Sequence, residues 1–116
     1  MPNLNDLRAA IRAFAQARDW EQFHTPKNLV MALSVETAEL MEHFQWLSPE
    51  QSSALDAKTK AEVAQEIGDV LIYLTRLADV LDIDPLQAAF DKIELNAVKY
   101  PVDKSKGNNT KYDKLQ

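Results

Sequence analysis

Glu36 and Glu39, in the segment VETAEL, stand three residues apart, and Glu66 and Asp69, in QEIGDVLIYL, repeat that spacing further along the chain. On a helix, a spacing of three sets both carboxylates on nearly the same face, one turn apart. Two such helices packed antiparallel would bring four carboxylates together. Either pair alone also reads as an ordinary solvated face, because acids at this spacing are common on helix surfaces. Three features favour a site. Glu66 and Asp69 head the apolar run VLIYLTRLADVL, where solvated acids have less room. Gly68 lies between them in a chain with only 2 glycines; in a helix it costs about 1 kcal/mol relative to Ala, and its missing side chain leaves room for close approach of a helix or ligand. Four facing carboxylates withdrawn from water repel strongly, and a divalent cation relieves that repulsion.

An all-oxygen donor set selects hard ions, Mg²⁺ or alternatively Mn²⁺. Mg²⁺ takes few carboxylates, keeps waters and completes its shell with substrate phosphates. The chain has no Cys, which excludes thiolate zinc sites, disulfide frameworks and cysteine nucleophiles. A di-iron carboxylate bundle requires Glu-x-x-His motifs. The nearest pattern here, Glu39-x-x-x-His43, is one residue too long, and no histidine follows Glu66. His43 falls near the Glu36 and Glu39 face and reads as a partly exposed helix residue.

The elements that must position these acids are helices. A chain of 116 residues is one domain, and two glycines with no Asn-Gly or Asp-Gly turn between alternating apolar runs leave little with which to build hairpins. The expected fold is all-α. A first helix runs from about Asn5 to Asp19 on the stripe Leu7, Ile11, Phe14. Thr25-Pro26, a cap residue followed by proline at the first helical position, opens a second that continues to about Gln45, with Leu29, Leu33, Leu40 and Phe44 facing the core. Ser48-Pro49 opens a short helix, and Asp56 caps a long one to about Leu81, with Val63, Ile67, Val70, Leu74, Leu77 and Leu81 at helical spacing. Asp84-Pro85 with Gln87 reads as a capping box for a last helix ending near Lys99, before Pro101. Residues 1–102 would form the helical domain, and 103–116, DKSKGNNTKYDKLQ, a lysine-containing tail too poor in apolar groups to pack by itself. Four main helices and a short extra one imply a compact four-helix bundle. One this small commonly leaves an apolar face uncovered, so a homo-oligomer is expected.

The net charge of −5 argues against a nucleic-acid binder. Residues 92–116 hold six lysines against Glu94, Asp103 and Asp113, a balance of +3 that leaves −8 for residues 1–91. An acidic body suits a divalent cation and a basic tail suits a polyanion. No apolar run reaches the length of a membrane span, and the N-terminal MPNLNDLRAA lacks a basic segment followed by an apolar one, so a cytoplasmic protein without membrane partner is expected.

Around the acids, the segments WEQFHTPKNLVMALSVETAELMEHFQW, EIGDVLIYLTRLADVLDID, KIELNAVKYPV and SKGNNTKYDKL occur in an order that resembles the MazG-like, all-α nucleotide pyrophosphohydrolases, most closely the dCTP pyrophosphatase branch. Thr37 departs from the pattern: many family members carry a second consecutive glutamate there, although the dCTP-hydrolysing branch often lacks it. The resemblance implies Mg²⁺-dependent hydrolysis of a nucleoside triphosphate, preferably a deoxynucleotide such as dCTP, to the monophosphate and pyrophosphate. Carried over by position, Glu36, Glu39, Glu66 and Asp69 would hold the metal, and Glu36 or Glu39 would take the water's proton.

The matched segments also suggest a nucleoside pocket. Trp20, Trp46 and Tyr73 offer flat faces, and His24 and Asn28 polar edges. The tryptophans serve equally as core residues, and His24 as an ordinary loop histidine. Tyr73, four residues after Asp69, shares its helical face. Lys92, Asn96 and Lys99 lie on one face, with Tyr100 beside them, where triphosphate oxygens would be met; alternatively the lysines complement the helix dipole of a solvated last turn. The tail, with Lys106, Lys111 and Tyr112, would be either a disordered appendage or a segment that folds over bound phosphates. In family assemblies these late elements complete a site formed with another subunit, which implies a dimer or a dimer of dimers. The competing function is a non-catalytic helical module for dimerisation or nucleotide-binding regulation, which has no reason to keep all four acids.

Overall fold

Polar side chains that accept the first free backbone N–H groups set where each long helix begins. The computed structural model describes residues 1–109. Asn3 and Asp6 close a reciprocal capping box, Asn3 Oδ1 accepting from the Asp6 amide (2.9 Å) and Asp6 Oδ2 from the Asn3 amide (3.0 Å), and α1 follows over Leu4–Ala17. After a 3₁₀ turn at Glu21–Phe23, Thr25 Oγ1 accepts from the Asn28 amide (3.2 Å) and starts α2, Pro26–Glu42. Ser48 starts the one-turn α3, Pro49–Ser52, and Asp56 Oδ1, accepting from the Thr59 amide at 2.7 Å, starts α4, Ala57–Val80. Asp84 Oδ1 accepts from the amides of Leu86 and Gln87 and opens α5, Pro85–Lys99. A final turn, α6, spans Val102–Ser105. All regular structure among the described residues is helical.

Two expectations need correction. Gln87 does not return the bond to Asp84 as a capping box requires; its amide reaches forward to Asp91 Oδ1 (2.9 Å), four residues along the same face. Helix α2 ends three residues before Gln45, because the amides of His43 and Phe44 bond back three residues, to Leu40 and Met41, and tighten the last turn. Helices α1 and α4 stop without glycine. Asp19 and Asp82 take up the left-handed conformation, at φ 54° and 55°. At the first, the Trp20 amide bonds to the Ala15 carbonyl and the Asp19 amide to that of Gln16, a complete Schellman motif.

The chain divides into two compact units, Met1–Asp82 and a second from Ile83 onward. In the first, α4 is the spine: α2 packs along it most extensively and α1 also packs on it. The core is small, with Ile11 and Ala15 from α1, Leu29 from α2, and Val63 and Ala78 from α4. Leu33, Leu40 and Phe44 are half-buried. On the expected stripes, Phe14 remains 50% and Ile67 53% exposed, as do Leu74 and Leu81 to similar extents, because α4 carries more apolar surface than two neighbours cover. In the second unit α5 has no buried residue, and Phe90, Ile93 and Val98 are exposed.

Leu29, at 1% exposure, is the largest fully buried side chain among the described residues. Leu29→Ala is therefore expected to lower the unfolding free energy by about 3 kcal/mol in urea titrations; a loss below about 1 kcal/mol would mean that the α1–α2–α4 core is not what holds this unit together.

Candidate metal centre

The register set by Thr25 and Asp56 brings the acids of α2 to α4. One carboxylate oxygen from each of Glu36, Glu39 and Glu66 lies within 4.8 Å of the other two. Glu36 Oε2 and Glu66 Oε2 are buried and have no hydrogen-bond partner. Buried oxygens left unpaired are costly, and an ionised carboxylate, which can only accept, needs a donor or a cation beside it. Burial, followed by the hydrogen bond with Glu39 and the charges of Glu39, Asp69 and Glu66, pushes the Glu36 carboxyl up to about 7. Glu66 is raised as well, by burial first and then by the Glu39 and Asp69 charges. An all-oxygen set with two unpaired buried atoms fits a hard divalent cation.

Asp69 stands outside this trio, but its charge reaches both Glu36 and Glu66. His43 closes the other side: Nε2 is 3.9 Å from Glu66 Oε1 and Nδ1 3.9 Å from Glu62 Oε2. The Thr37 hydroxyl donates to the Leu33 carbonyl at 2.8 Å, so it is engaged on its own helix. At Gly68 a Cβ would meet nothing within 4 Å, so no described helix approaches closely enough there to require glycine.

Beside the acids is a cavity of about 210 Å³. Ile11, Phe14 and Ala15 line it from α1, Trp20 and His24 from the connection to α2, and Asp69, Ile72, Tyr73 and Arg76 from α4. The cavity thus gathers Trp20, His24, Asp69 and Tyr73, four of the residues singled out in the sequence. The Schellman turn carries Trp20 edge-on to Phe14, with ring centroids 5.7 Å apart, and the Arg18 guanidinium caps the Phe14 ring at 3.5 Å. Asn28 does not line the cavity; its side-chain amide donates to the Phe23 carbonyl at 3.0 Å and braces the turn that bears Trp20 and His24. Trp46 is outside it as well, 86% exposed beyond the end of α2. Lys92, Asn96 and Lys99 lie on α5 with Tyr100 as its C-cap, in the second unit. Lys111 and Tyr112 lie outside the described residues.

Arg76 was not legible as a site residue. Only 8% exposed, it donates from Nε to His24 Nδ1 at 3.1 Å, and its Nη1 is 3.4 Å from Asp79 Oδ2. Asp79 in turn accepts from Arg12 Nε at 2.7 Å and from Arg12 Nη2. The available signal was an arginine inside an apolar run with an acid three residues on.

Known proteins share this chain's pattern. The model of the MazG-like family matches residues 31–115. The dCTP pyrophosphatase 1 of Mus musculus is 44% identical over 98% of this chain and 68% of its own length, and that of Homo sapiens is 38% identical over the same shares. The crystal structure of a pyrophosphatase from Archaeoglobus fulgidus superposes with a TM-score of 0.81 at 43% identity, covering 87% of this chain and 94% of the other. By the match of family model, sequence relatives and fold, the chain belongs to the MazG-like family.

Proposed function

We propose that the protein is a metal-dependent nucleotide pyrophosphohydrolase that cleaves dCTP or a related deoxynucleoside triphosphate to the monophosphate and pyrophosphate, removing it from the nucleotide pool. The observation that carries this reading is the carboxylate trio, with two buried unpaired oxygens, beside an aromatic-lined cavity that includes Asp69. The names of the relatives, dCTP pyrophosphatase and pyrophosphatase, support the reaction class.

Glu36, Glu39, Glu66 and Asp69 would hold Mg²⁺, with Mn²⁺ able to replace it. The bound ion supplies positive charge to phosphate oxygens and makes a water more acidic. A carboxylate oxygen of Glu36 or Glu39 not committed to the ion takes the proton of the attacking water. Trp20 and Tyr73 sandwich or edge the base, and His24 meets its polar rim. Asn28 holds the turn that presents them. Trp46, Lys92, Asn96, Lys99, Tyr100, Lys111 and Tyr112 supply the remaining base and phosphate contacts in a dimer or tetramer. Apolar side chains left open on α4 and α5 support that self-association. The absence of a helix long and apolar enough to cross a membrane among the described residues fits a cytoplasmic enzyme.

Incubation with each dNTP and NTP, with and without Mg²⁺, tests the reaction: monophosphate and pyrophosphate should appear only with metal and fastest from dCTP or a modified dCTP. Intact triphosphates throughout would favour a non-catalytic module. Glu36→Gln and Asp69→Asn should each lower kcat by at least about a hundredfold while the circular-dichroism spectrum stays helical; near-normal turnover would remove that residue from the centre. Sedimentation velocity should show a dimer or larger species, and a monomer at micromolar concentration would contradict the shared-site assignment.

The raised Glu36 carboxyl sets a pH dependence. The folded state holds this proton up to about 7, whereas the usual glutamate value is 4.5. The folded chain thus binds more protons than the unfolded one between those values, and stability must fall as pH rises through that window. The Tm of chelator-treated protein should drop from pH 4.5 to 7 and level off above; Mg²⁺ at pH 7.5 should restore it, and Glu36→Gln should flatten the slope. A Tm that rises across the same window would contradict the charge clash.

A further inference from the structure

Arginine has donors and no acceptor, so the 3.1 Å contact from Arg76 Nε to His24 Nδ1 requires a lone pair on that nitrogen. An imidazolium has none to offer. The ring is therefore neutral, and its single proton sits on Nε2. We propose that Arg76 is a positioning residue that fixes His24 as the Nε2–H tautomer, so that the cavity presents a hydrogen-bond donor to the base of a bound nucleotide.

Two further observations support the assignment. The guanidinium is almost fully buried and is tied to Asp79, whose carboxylate also accepts from Arg12, so the donor aimed at His24 is held from behind by a second ion pair. Burial, and after it the Arg76 charge, holds the His24 imidazole below its ordinary value, against a smaller opposing effect of Glu21. A fixed donor selects a base whose edge carries a carbonyl oxygen or an unprotonated ring nitrogen. Cytosine presents both side by side, at O2 and N3. A base turning an N–H toward the same point leaves two donors facing each other and is rejected.

This inference rests on the nucleotide reading of the cavity, and its test separates the two. Long-range proton–nitrogen correlation spectra of the ¹⁵N-histidine-labelled full chain at pH 7.5 report the protonation of each ring nitrogen. The chain has 2 histidines, and His43→Gln assigns them. His24 should show an unprotonated Nδ1 and a protonated Nε2 in the unsubstituted protein, a readout that needs no variant to fold, and Arg76→Lys should give a mixed or charged ring. Calorimetric titration with dCMP, the expected product, should show Arg76→Lys weakening binding roughly tenfold. Adding Arg76→Lys to His24→Ala should change the dissociation constant by less than about twofold, because the arginine acts through the histidine. His24→Gln, whose amide can accept from Arg76 and still donate, should keep more of the affinity than His24→Ala.

A protonated Nδ1 in the unsubstituted protein, or an equal loss from Arg76→Lys with and without His24, would overturn the proposal. Hydrolysis of dCTP together with unchanged dCMP affinity in Arg76→Lys would overturn it and leave the hydrolase reading standing. The expected spectra and dCMP coupling in a protein that hydrolyses no triphosphate would support it and overturn the hydrolase reading instead.

Discussion

Three carboxylates within reach of one cation repel each other, and the packing of α2 on α4 holds them together against that repulsion. Every other feature of the first unit bears on this constraint. The small core of Leu29, Val63, Ala78, Ile11 and Ala15 must oppose both chain entropy and the enclosed charge. Protonation of Glu36 relieves part of the strain at mild acidity, and a bound divalent ion would relieve it at neutral pH. A site that is uncomfortable when empty would bind a cation more tightly for that reason.

The second organising interaction is the line Arg12–Asp79–Arg76–His24, which runs from α1 through α4 to the loop before α2. It joins the three segments that line the cavity through polar contacts, where the apolar core alone would leave them loosely placed. The carboxylate cluster and the cavity thus share α4, with Asp69 lining the cavity seven residues before Arg76. In the proposed reaction, the fixed distance between them along one helix would set how far the reacting phosphate stands from the base.

Much of this was legible in the sequence. Cap residues and prolines located the starts of α2, α3, α4 and α5, because the signals are local: Thr25, Ser48, Asp56 and Asp84 each accept from the backbone of the first turn, whereas α1 was read from its apolar stripe and its Asn3 cap was not. The carboxylate spacing placed Glu36 and Glu39 on the face that meets Glu66, since helical periodicity fixes which side chains share a face. Helix ends were less legible. Asp19 and Asp82 terminate their helices in the left-handed conformation, where glycine is the usual signal and aspartate reads more readily as an N-cap. Arg76 escaped notice because its importance is long-range: nothing local says that its side chain turns toward a residue 52 positions earlier. Periodicity also says which face is apolar without saying what covers it, so Ile67 and Leu74 lie on the expected stripe and still face outward.

The central claim is that Glu36, Glu39 and Glu66, with Asp69 beside them, hold a divalent cation. Anomalous diffraction from crystals grown with Mn²⁺ reads this directly. A manganese peak among these carboxylates, lost in crystals of Glu36→Gln, is the result the account predicts. A map with no peak there, at a Mn²⁺ concentration that supports turnover in solution, would contradict it.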